Sequence, residues 1–413
     1  MKILWVCNIA LPKIAEKEKL TASFGGGWLV GLSEDLLKTD GIKLTICFPN
    51  SKKLASTDTV PAYYSFNPST AEQDLLDIIS VSKPDVIHIF GTEFRHTLDC
   101  VDACEKLGVS DKVVINIQGL VSVVAKHYTA GLDHKTLKAK TLRDFIKGGN
   151  IYKGAKMFEF RGKNEISALK KVKHIVGRTD WDKACLSWIN PDAEYHFCNE
   201  TLRGEFYKHK WKYDECEKHS IFVSQCKNPI KGFHFVLEAM PMILSKYPDA
   251  KVYTTGKDLI NIKGMDKLKM TYYQVYLRKL IKKYGLEDKV VFLGILDEKE
   301  MCDRYLKSNV FVSASSIENS PNSVGEAMIL GVPTVSSDVG GVKNLLEHNK
   351  EGFVYQTDAP YMMAYYVCEL FGNQDLTEMF SQKAHEHANT THNRATNLSR
   401  VIEIYKRVCK END

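Results

Sequence analysis

The sequence of 413 residues has no long apolar segment, no cysteine framework and no internal repeat. No run approaches the about 18 consecutive apolar residues that a transmembrane helix requires. The 11 cysteines are scattered, and the close pair Cys100 and Cys104 has no second ligand pair at zinc spacing. We therefore expect reduced thiols, as in cytosolic proteins, and no bound metal. The opening residues, MKILWVC, are interpreted as a buried strand rather than a signal peptide.

Acidic residues are scarce in one window, 135–173, which has twelve basic residues and only three acidic ones. Its net charge is +9, whereas the whole chain carries +5, so the rest of the chain is negative at −4. Apolar residues such as Phe145, Ile146 and Phe160 are interleaved with the cations. This composition indicates an anionic partner, which could be membrane lipid, a diphosphate-linked acceptor or nucleic acid; of these we expect one of the first two and no nucleic acid. An ordinary solvated basic surface is the alternative.

Short apolar segments bounded by turn residues alternate with longer amphipathic segments along the chain. This alternation is typical of parallel sheets with helices on both faces, and it restarts after the charged stretch 206–219. The sequence therefore predicts two doubly wound α/β domains, at 1–205 and 206–396, with a C-terminal helix at 397–413 that completes the first domain. Such sheets bind ligands beyond the carboxyl ends of their strands.

The strongest local signal lies at 315–328, which reads SSIENSPNSVGEAM after an apolar strand. Ser320 is a suitable N-cap and Pro321 fits the first turn of a helix. Glu318 then lies in the preceding loop, and Glu326 about one and a half turns inside the helix. Free N–H groups at the helix start can bind a diphosphate, and the two carboxylates can accept hydrogen bonds from sugar and ribose hydroxyls. Simple capping of a surface helix is the alternative.

The helix is followed at 331–341 by GVPTVSSDVGG, a turn, a short strand and a glycine pair. Glu318 and Glu326 match the E-x7-E motif of retaining glycosyltransferase family 4, and 331–333 match the G-x-P continuation of that family. The chain resembles this family over nearly its whole length. The resemblance implies the GT-B fold, with two Rossmann-like domains facing across a cleft. It also implies retention of anomeric configuration, no metal and no cofactor beyond the nucleotide-sugar substrate.

The resemblance assigns donor contacts mainly to the second domain. Lys231, in the segment IFVSQCKNPIKG at 221–232, matches the lysine that contacts the donor diphosphate in this family. Gln225 stands where members of the family usually have an arginine, so one positive charge is missing. Residues near Gly256 and Leu293 are expected to contact the base. The other expected donor contacts are in the helix start and the glycine-rich first loop: Gly26, Gly27, Asn319, Ser320, Asn322 and Ser323.

Residues of the first domain resemble the acceptor side of the family. Gln118 stands in place of a histidine that contacts the transferred sugar, and we group it with Glu318 and Lys231 as catalytic, although it cannot titrate. His88, inside an apolar strand, is expected to be buried and structural. Four residues are candidates for contacts on the acceptor side: Gly25, Thr92, Glu93 and Arg178. For Arg178 the alternative is a surface salt bridge.

Together these features predict a retaining hexosyltransferase that uses a UDP- or GDP-sugar. A glycan or lipid-linked saccharide is the expected acceptor, in surface polysaccharide synthesis at the cytoplasmic face of the inner membrane. Four alternatives remain open: a nucleotide-sugar epimerase, a glycan phosphorylase, an inactive protein that binds nucleotide sugars, or a basic surface-binding module. The inactive protein is the alternative that the departures at Gln225 and Gln118 favour.

Overall fold

The computed structural model describes residues 1–20 and 27–410, which form two compact units. The first unit contains 1–123, 159–203 and the chain from His392 onward; the second contains 124–158 and 204–391. Segment 124–158 was expected in the first domain but packs on the second unit. The reason is a set of long-range hydrogen bonds: Asp144 Oδ2 accepts from the Tyr272 N–H at 2.8 Å, and the Thr141 hydroxyl donates to the Met270 carbonyl at 2.8 Å.

The first unit is built on an eight-stranded sheet, whose strands are β1 (Lys2–Val6), β2 (Lys43–Pro49), β3 (Ala55–Ser56), β4 (Ala62–Phe66), β5 (Val86–Phe90), β6 (Val113–Asn116), β7 (His174–Gly177) and β8 (Glu194–Phe197). The strand order is β3-β4-β2-β1-β5-β6-β7-β8, and the pairs are parallel apart from β3 with β4. Leu4 and Val6 enter one hydrophobic cluster while Ile3 and Trp5 enter another, because successive side chains of a strand point to opposite faces.

The second unit has a six-stranded parallel sheet, formed by β9 (Glu217–Val223), β10 (Lys251–Thr254), β11 (Val290–Phe292), β12 (Ser308–Ser313), β13 (Thr334–Ser337) and β14 (Phe353–Tyr355). The order is β11-β10-β9-β12-β13-β14, so the loops after β9 and β12 leave the sheet side by side. This edge of the second sheet is where the motif residues lie.

Helices cover the sheets and form the segment between β6 and β7. In chain order they are α1 (Pro12–Lys17), α2 (Gly27–Leu37), α3 (Ala71–Ser82), α4 (Arg95–Leu107), α5 (Val121–His127), α6 (His134–Lys138), α7 (Leu142–Ile146), α8 (Ile151–Leu169), α9 (Asp180–Ile189), α10 (Phe233–Lys246), α11 (Tyr272–Lys283), α12 (Glu298–Leu306), α13 (Asn322–Leu330), α14 (Pro360–Gly372), α15 (Gln374–Thr391) and α16 (Arg394–Lys410). Within residues 1–20 and 27–410, no helix is long and apolar enough to span a bilayer.

The start of α13 differs from the prediction. The helix begins at Asn322, and Pro321 is its N-cap, with φ −70° and ψ 112° and no side-chain cap bond. Ser320 is therefore not the N-cap, because the extended backbone of Pro321 delays the first helical residue. Glu326 becomes the fifth residue of the helix.

The terminal helix α16 belongs to the first unit and contributes Tyr405 to its core. Trp5 Nε1 donates to the Tyr405 hydroxyl at 2.9 Å, and His88 Nδ1 lies 2.7 Å from the same oxygen. Burial lowers the pKa of His88 to about 3, so its imidazole is neutral. His88 is thus the buried structural residue that the sequence predicted.

Replacing this shared oxygen gives a test of the first core. Tyr405→Phe should destabilise the protein by about 2 kcal/mol, because a buried indole N–H and a buried imidazole nitrogen both lose their partner. Tyr361→Phe, on a tyrosine that is 59% exposed, is the matched control and should change stability by less than about 0.5 kcal/mol. Midpoints of urea unfolding measure both effects; equal midpoints would contradict the assignment.

Candidate functional site

A lysine and a glutamate meet at the carboxyl edge of the second sheet. Lys231 ends a short 3-10 helix, Pro229–Lys231, in the loop after β9, and Glu318 lies in the loop after β12. Lys231 Nζ is 2.5 Å from Glu318 Oε1, which also accepts a hydrogen bond from the Ser315 hydroxyl at 2.7 Å. The two side chains are 28% and 14% exposed, so the charges keep some access to solvent. The structure thus brings together two of the three residues predicted to be catalytic.

Hydrogen bonds to three neighbouring segments fix the loop after β12. The Ser316 N–H donates to the Ile230 carbonyl at 2.8 Å, which joins this loop to the loop after β9. The Ser316 hydroxyl donates to the His127 carbonyl at 3.0 Å, and the Ser337 hydroxyl donates to the Ser315 carbonyl at 2.6 Å. The position of the carboxylate therefore depends on β13 and on segment 124–158 as well as on its own strand.

Two glycines permit close backbone approach on either side of the ion pair. A Cβ at Gly232 would lie 1.8 Å from the Ala314 carbonyl oxygen, and a Cβ at Gly340 would lie 1.8 Å from the Glu318 carbonyl oxygen. Their φ angles are +65° and +50°, where a side chain adds strain. The Gly341 N–H donates to the Glu318 carbonyl at 3.2 Å. A larger residue at either glycine must therefore displace the loop after β12.

Helix α13 begins directly after this loop. Its first two residues are Asn322 and Ser323, and the Tyr305 hydroxyl anchors them by donating to the Ser323 carbonyl at 3.0 Å. The first turn contains no acidic residue, so no carboxylate of that turn offsets the positive end of the helix dipole. Glu326 is only 7% exposed. Two loop residues predicted to contact the donor are buried as well, Asn319 and Ser320.

The other donor candidates of the second unit follow neighbouring strands. Gln225 is exposed in the loop after β9. Gly256 follows β10 with a φ of +120°, and its N–H donates to the Gly294 carbonyl at 2.8 Å. The Leu293 N–H donates to the Thr254 carbonyl at 2.9 Å. These bonds join the loops after β10 and β11, so Gly256 and Leu293 lie at one edge of the sheet.

In the first unit, Gln118 belongs to a buried polar network. Arg178 Nη1 is 2.5 Å from Glu200 Oε2, and these side chains are 3% and 4% exposed. The Gln118 amide lies 2.6 Å from both Glu200 Oε1 and Asn116 Oδ1. Arg178 also directs Nη2 toward the Gln118 carbonyl at 3.4 Å. Arg178 thus forms a buried ion pair instead of the surface salt bridge considered from the sequence.

Thr92 and Glu93 both follow β5 but have different surroundings. Thr92 is 1% exposed, and its hydroxyl lies 2.5 Å from Glu165 Oε2 and 2.9 Å from the Gly119 carbonyl. Glu93 Oε2 accepts a hydrogen bond from Asn8 Nδ2 at 3.4 Å. Burial raises the pKa of Glu93 to about 7, so both protonation states are populated near neutral pH. Glu93 can therefore donate or accept a hydrogen bond, whereas Thr92 is enclosed in the core.

Of the glycine-rich first loop, Gly27 alone can be placed. It opens α2, and a Cβ at this position would lie 2.3 Å from Cγ of Arg203. Gly25 and Gly26, which were predicted to contact the acceptor and the donor, lie outside the described residues.

The second unit matches a known family. Residues 205–387 match the model of the family "Glycosyl transferases group 1". The second unit therefore resembles this family over most of its length. The putative glycosyltransferase YtcC of Bacillus subtilis is 24% identical over 212 residues, which is 50% of each chain. More broadly, the chain spans about half the length of the curated relatives it matches.

Solved structures similar to this chain define its architecture. A sucrose-phosphate synthase from Thermosynechococcus elongatus covers 99% of both chains with a TM-score of 0.69 and 13% identity. Anabaena Alr3699/HepE in complex with UDP-glucose covers 98% of this chain and 100% of that chain, with a TM-score of 0.69 and 14% identity. The chain therefore has the predicted α/β architecture of the GT-B fold.

Two buried carboxylates of the first unit were not predicted from the sequence. Glu200 joins Arg178 to Gln118, and no motif surrounds it in the sequence. Glu165 accepts hydrogen bonds from the N–H groups of Val121 and Ser122 at 2.8 and 2.9 Å, which caps α5. In the sequence Glu165 is only one of three acids in a basic window, and a single acid among lysines gives no signal of burial.

The glycine constraint can be tested with a matched pair. Gly340→Ala and Gly264→Ala both place a methyl group at a similar φ, +50° and +54°, and each costs about 1–2 kcal/mol in left-handed strain. At Gly264 a Cβ meets no heavy atom within 4 Å, whereas at Gly340 it collides with the Glu318 carbonyl. Gly340→Ala should therefore be less stable by roughly a further 1–3 kcal/mol in urea unfolding. Equal losses of stability in the two variants would show that the loop after β12 can move to accommodate the methyl group.

Proposed function

We propose that this chain transfers a sugar from a nucleoside diphosphate sugar to a saccharide acceptor, with retention of anomeric configuration and no metal ion in the transfer step. The observation that carries the proposal is the Lys231–Glu318 pair beside the start of α13. Open parallel sheets bind ligands at this edge. The structure of Anabaena Alr3699/HepE, which has the same fold, contains UDP-glucose and supports a UDP- or GDP-sugar as donor.

The donor diphosphate is proposed to lie between Lys231 and the start of α13. The ammonium group and the N–H groups of Asn322 and Ser323 stabilise negative charge there, and more strongly as the leaving diphosphate gains charge. Gln225, exposed in the same loop as Lys231, offers a hydrogen bond without a charge. Charge neutralisation therefore depends on Lys231 and the helix dipole, with one cation where the family motif has two.

Donor binding exchanges the partners of the observed ion pair. The diphosphate takes the Lys231 ammonium, while Glu318, still bonded to Ser315, accepts hydrogen bonds from hydroxyls of the transferred sugar. Glu326, more enclosed, accepts hydrogen bonds from the ribose hydroxyls. Because both members of the pair are already partly desolvated, the donor replaces an existing charge partner and the cost of removing water is reduced.

The transfer step follows from a donor held in this way. The acceptor hydroxyl attacks the anomeric carbon on the face from which the diphosphate leaves; a C–O bond to the acceptor forms as the bond to the diphosphate oxygen breaks. The hydroxyl proton passes to that leaving oxygen, so no side chain has to act as base. The Gln118 amide, which cannot titrate, is assigned to a hydrogen bond with the transferred sugar.

The acceptor is proposed to be a glycan or a lipid-linked saccharide used in surface polysaccharide synthesis. Among the acceptor-side residues, Glu93 is the one best suited to meet a sugar hydroxyl, because it can either donate or accept. Thr92 and Arg178 are enclosed by Glu165 and Glu200, so we assign them a positioning role. Gly25 retains its predicted acceptor contact as a proposal.

A second candidate function is binding of a nucleotide sugar without transfer. The exposed Gln225 favours it, because the diphosphate then lacks a second cation. A panel of UDP- and GDP-sugars, offered to the purified protein with and without saccharide acceptors, separates the candidates. Acceptor-dependent release of nucleoside diphosphate supports transfer, binding without turnover supports the inactive protein, and donor interconversion without acceptor indicates an epimerase.

Loss of the diphosphate lysine is the sharpest test within that assay. Lys231→Ala should weaken donor binding by about 10- to 100-fold, as expected for a charge-assisted hydrogen bond worth about 1.5–3 kcal/mol. Lys350→Ala breaks an exposed ion pair with Glu347 in the same unit and should leave affinity unchanged. Titration calorimetry with nucleoside diphosphate measures both variants; unchanged affinity in Lys231→Ala would contradict the assignment.

A membrane contact is proposed for the basic window 135–173, through the part of it in the second unit, 135–158, on the cytoplasmic face of the inner membrane. Helix α7 exposes Leu142, Phe145 and Ile146, which are 53%, 74% and 71% exposed, on one face. The buried residue of this helix is the polar Asp144. This burial pattern is the inverse of that of an ordinary surface helix. Exposed cations flank the helix along the chain: Lys135, Lys138, Lys140, Lys147 and Lys153.

The orientation of α7 is fixed by its polar side. Thr141 and Asp144 form a capping box, and both are also bonded to the chain at 270–272. A helix of only five residues is unstable alone, so these bonds are what hold it with its apolar face outward. Apolar side chains flanked by lysines complement an anionic bilayer surface, where each cation contributes about 1 kcal/mol.

Flotation with liposomes tests this contact. The double variant Phe145→Ser, Ile146→Ser should reduce binding to vesicles that contain anionic phospholipid by about tenfold or more, because the apolar area that enters the bilayer is lost. The control double variant Val81→Ser, Trp188→Ser removes side chains that are 70% and 90% exposed elsewhere and should float like the unchanged protein. Two results would contradict the membrane contact and favour a soluble acceptor. One is vesicle binding that does not weaken with added salt, and the other is vesicle binding that both double variants retain.

A further inference from the structure

We propose that His174, Glu194 and His196 form a binding site for one divalent transition-metal ion of the zinc class. β7 and β8 pair in parallel, with His174 opposite Glu194. His196 follows Glu194 by two residues, so all three side chains project from the same face of the sheet. The sequence predicted no metal from the spacing of Cys100 and Cys104 and from the family resemblance, and these three residues were not among its candidates.

The candidate ligand atoms are spaced as they are around a single ion. His174 Nδ1 lies 3.1 Å from His196 Nε2 and 3.8 Å from Glu194 Oε2. One ligand atom from each residue lies within 4.8 Å of those of the other two. In a tetrahedral site with bonds of about 2.0–2.2 Å, ligand atoms are about 3.4 Å apart. Small side-chain adjustments are therefore sufficient to coordinate an ion.

The ligand types select the ion. Two imidazoles and one carboxylate bind zinc in proteins, with a fourth position for water, whereas calcium and magnesium prefer oxygen ligands alone. The His174 and His196 side chains are 1% and 9% exposed, and that of Glu194 is 24% exposed. The ion is thus enclosed by the histidines and reached from the glutamate side.

Arg407 of α16 holds the carboxylate in place. Its Nε lies 2.6 Å from Glu194 Oε1, the oxygen other than the one nearest His174. Hydrogen bonds of this kind orient ligating carboxylates. We therefore place the ion at Oε2, away from the guanidinium charge. Bound metal then connects the edge strand β8 to β7, next to the terminal helix.

The cluster is separate from the residues proposed for transfer. His174 and Glu194 are the first residues of their strands, whereas Gln118 and Glu93 follow the carboxyl ends of β6 and β5 in the same sheet. The proposed ion therefore lies outside the residues proposed for transfer, and this inference does not depend on the proposed function.

Metal titration of the full chain tests the site. Chelator-stripped protein should bind one equivalent of Zn²⁺ with a rise in thermal midpoint, and Co²⁺ should give the absorption bands of a tetrahedral complex. Glu194→Gln and His196→Gln should each weaken binding by about 100-fold. Glu205 and His209 form a more exposed glutamate–histidine contact of 2.9 Å elsewhere in the chain. The control double variant Glu205→Gln, His209→Gln should bind the metal with unchanged affinity.

Two results would overturn the proposal. One is failure of the stripped protein to bind Zn²⁺ or Co²⁺. The other is binding with unchanged stoichiometry and affinity in both Glu194→Gln and His196→Gln, which would assign the metal to other thiols or imidazoles. Both variants are expected to fold, because the Glu194 and His196 side chains are only partly enclosed and glutamine has a similar size. Their thermal midpoints without metal check this.

Discussion

The backbone contact between the loops after β9 and β12 fixes the part of the second unit where we propose that the donor binds. Gly232 lies against the Ala314 carbonyl, and Ser316 is bonded to the Ile230 carbonyl. An ion pair with access to solvent contributes no more than about 1 kcal/mol, which is too little to order two loops. The loops therefore hold the Lys231–Glu318 pair in place, and the attraction between the charges is secondary.

A pair positioned in this way is prepared for a charged ligand. Ammonium and carboxylate lie 2.5 Å apart in a partly desolvated setting, a few residues from the positive end of α13. Groups fixed by the backbone need little reorganisation when charge develops on a leaving diphosphate, and preorganised groups of this type are the largest contribution to many enzymatic rates. In the proposed reaction Gln225 brings no charge, so a greater share of that stabilisation would come from the helix start.

The sequence revealed the elements whose residues are apolar and contiguous, and it missed those that depend on distant partners. β5 lies where His88 was expected inside an apolar strand. The E-x7-E motif singled out Glu318 and Glu326, and the segment at 221–232 singled out Lys231. β4 and β8, which read AYYSF and EYHF, lack such runs and were not predicted. Glu200 was missed because its partners Arg178 and Gln118 become neighbours only in the folded sheet.

Segment 124–158 shows why chain position is a poor guide to domain membership. It follows β6 of the first unit in sequence, yet its anchoring bonds go to 270–272, to Ser316, and to His234, whose Nε2 lies 3.2 Å from the Ala130 carbonyl. A Cβ at Gly131 would lie 2.4 Å from the Phe235 ring, so the packing is close as well. The exposed apolar face of α7 is therefore carried by the unit that contains Lys231 and Glu318. An anionic surface bound to that face would orient the proposed donor-binding unit, whereas the continuous charge window had suggested the acceptor domain.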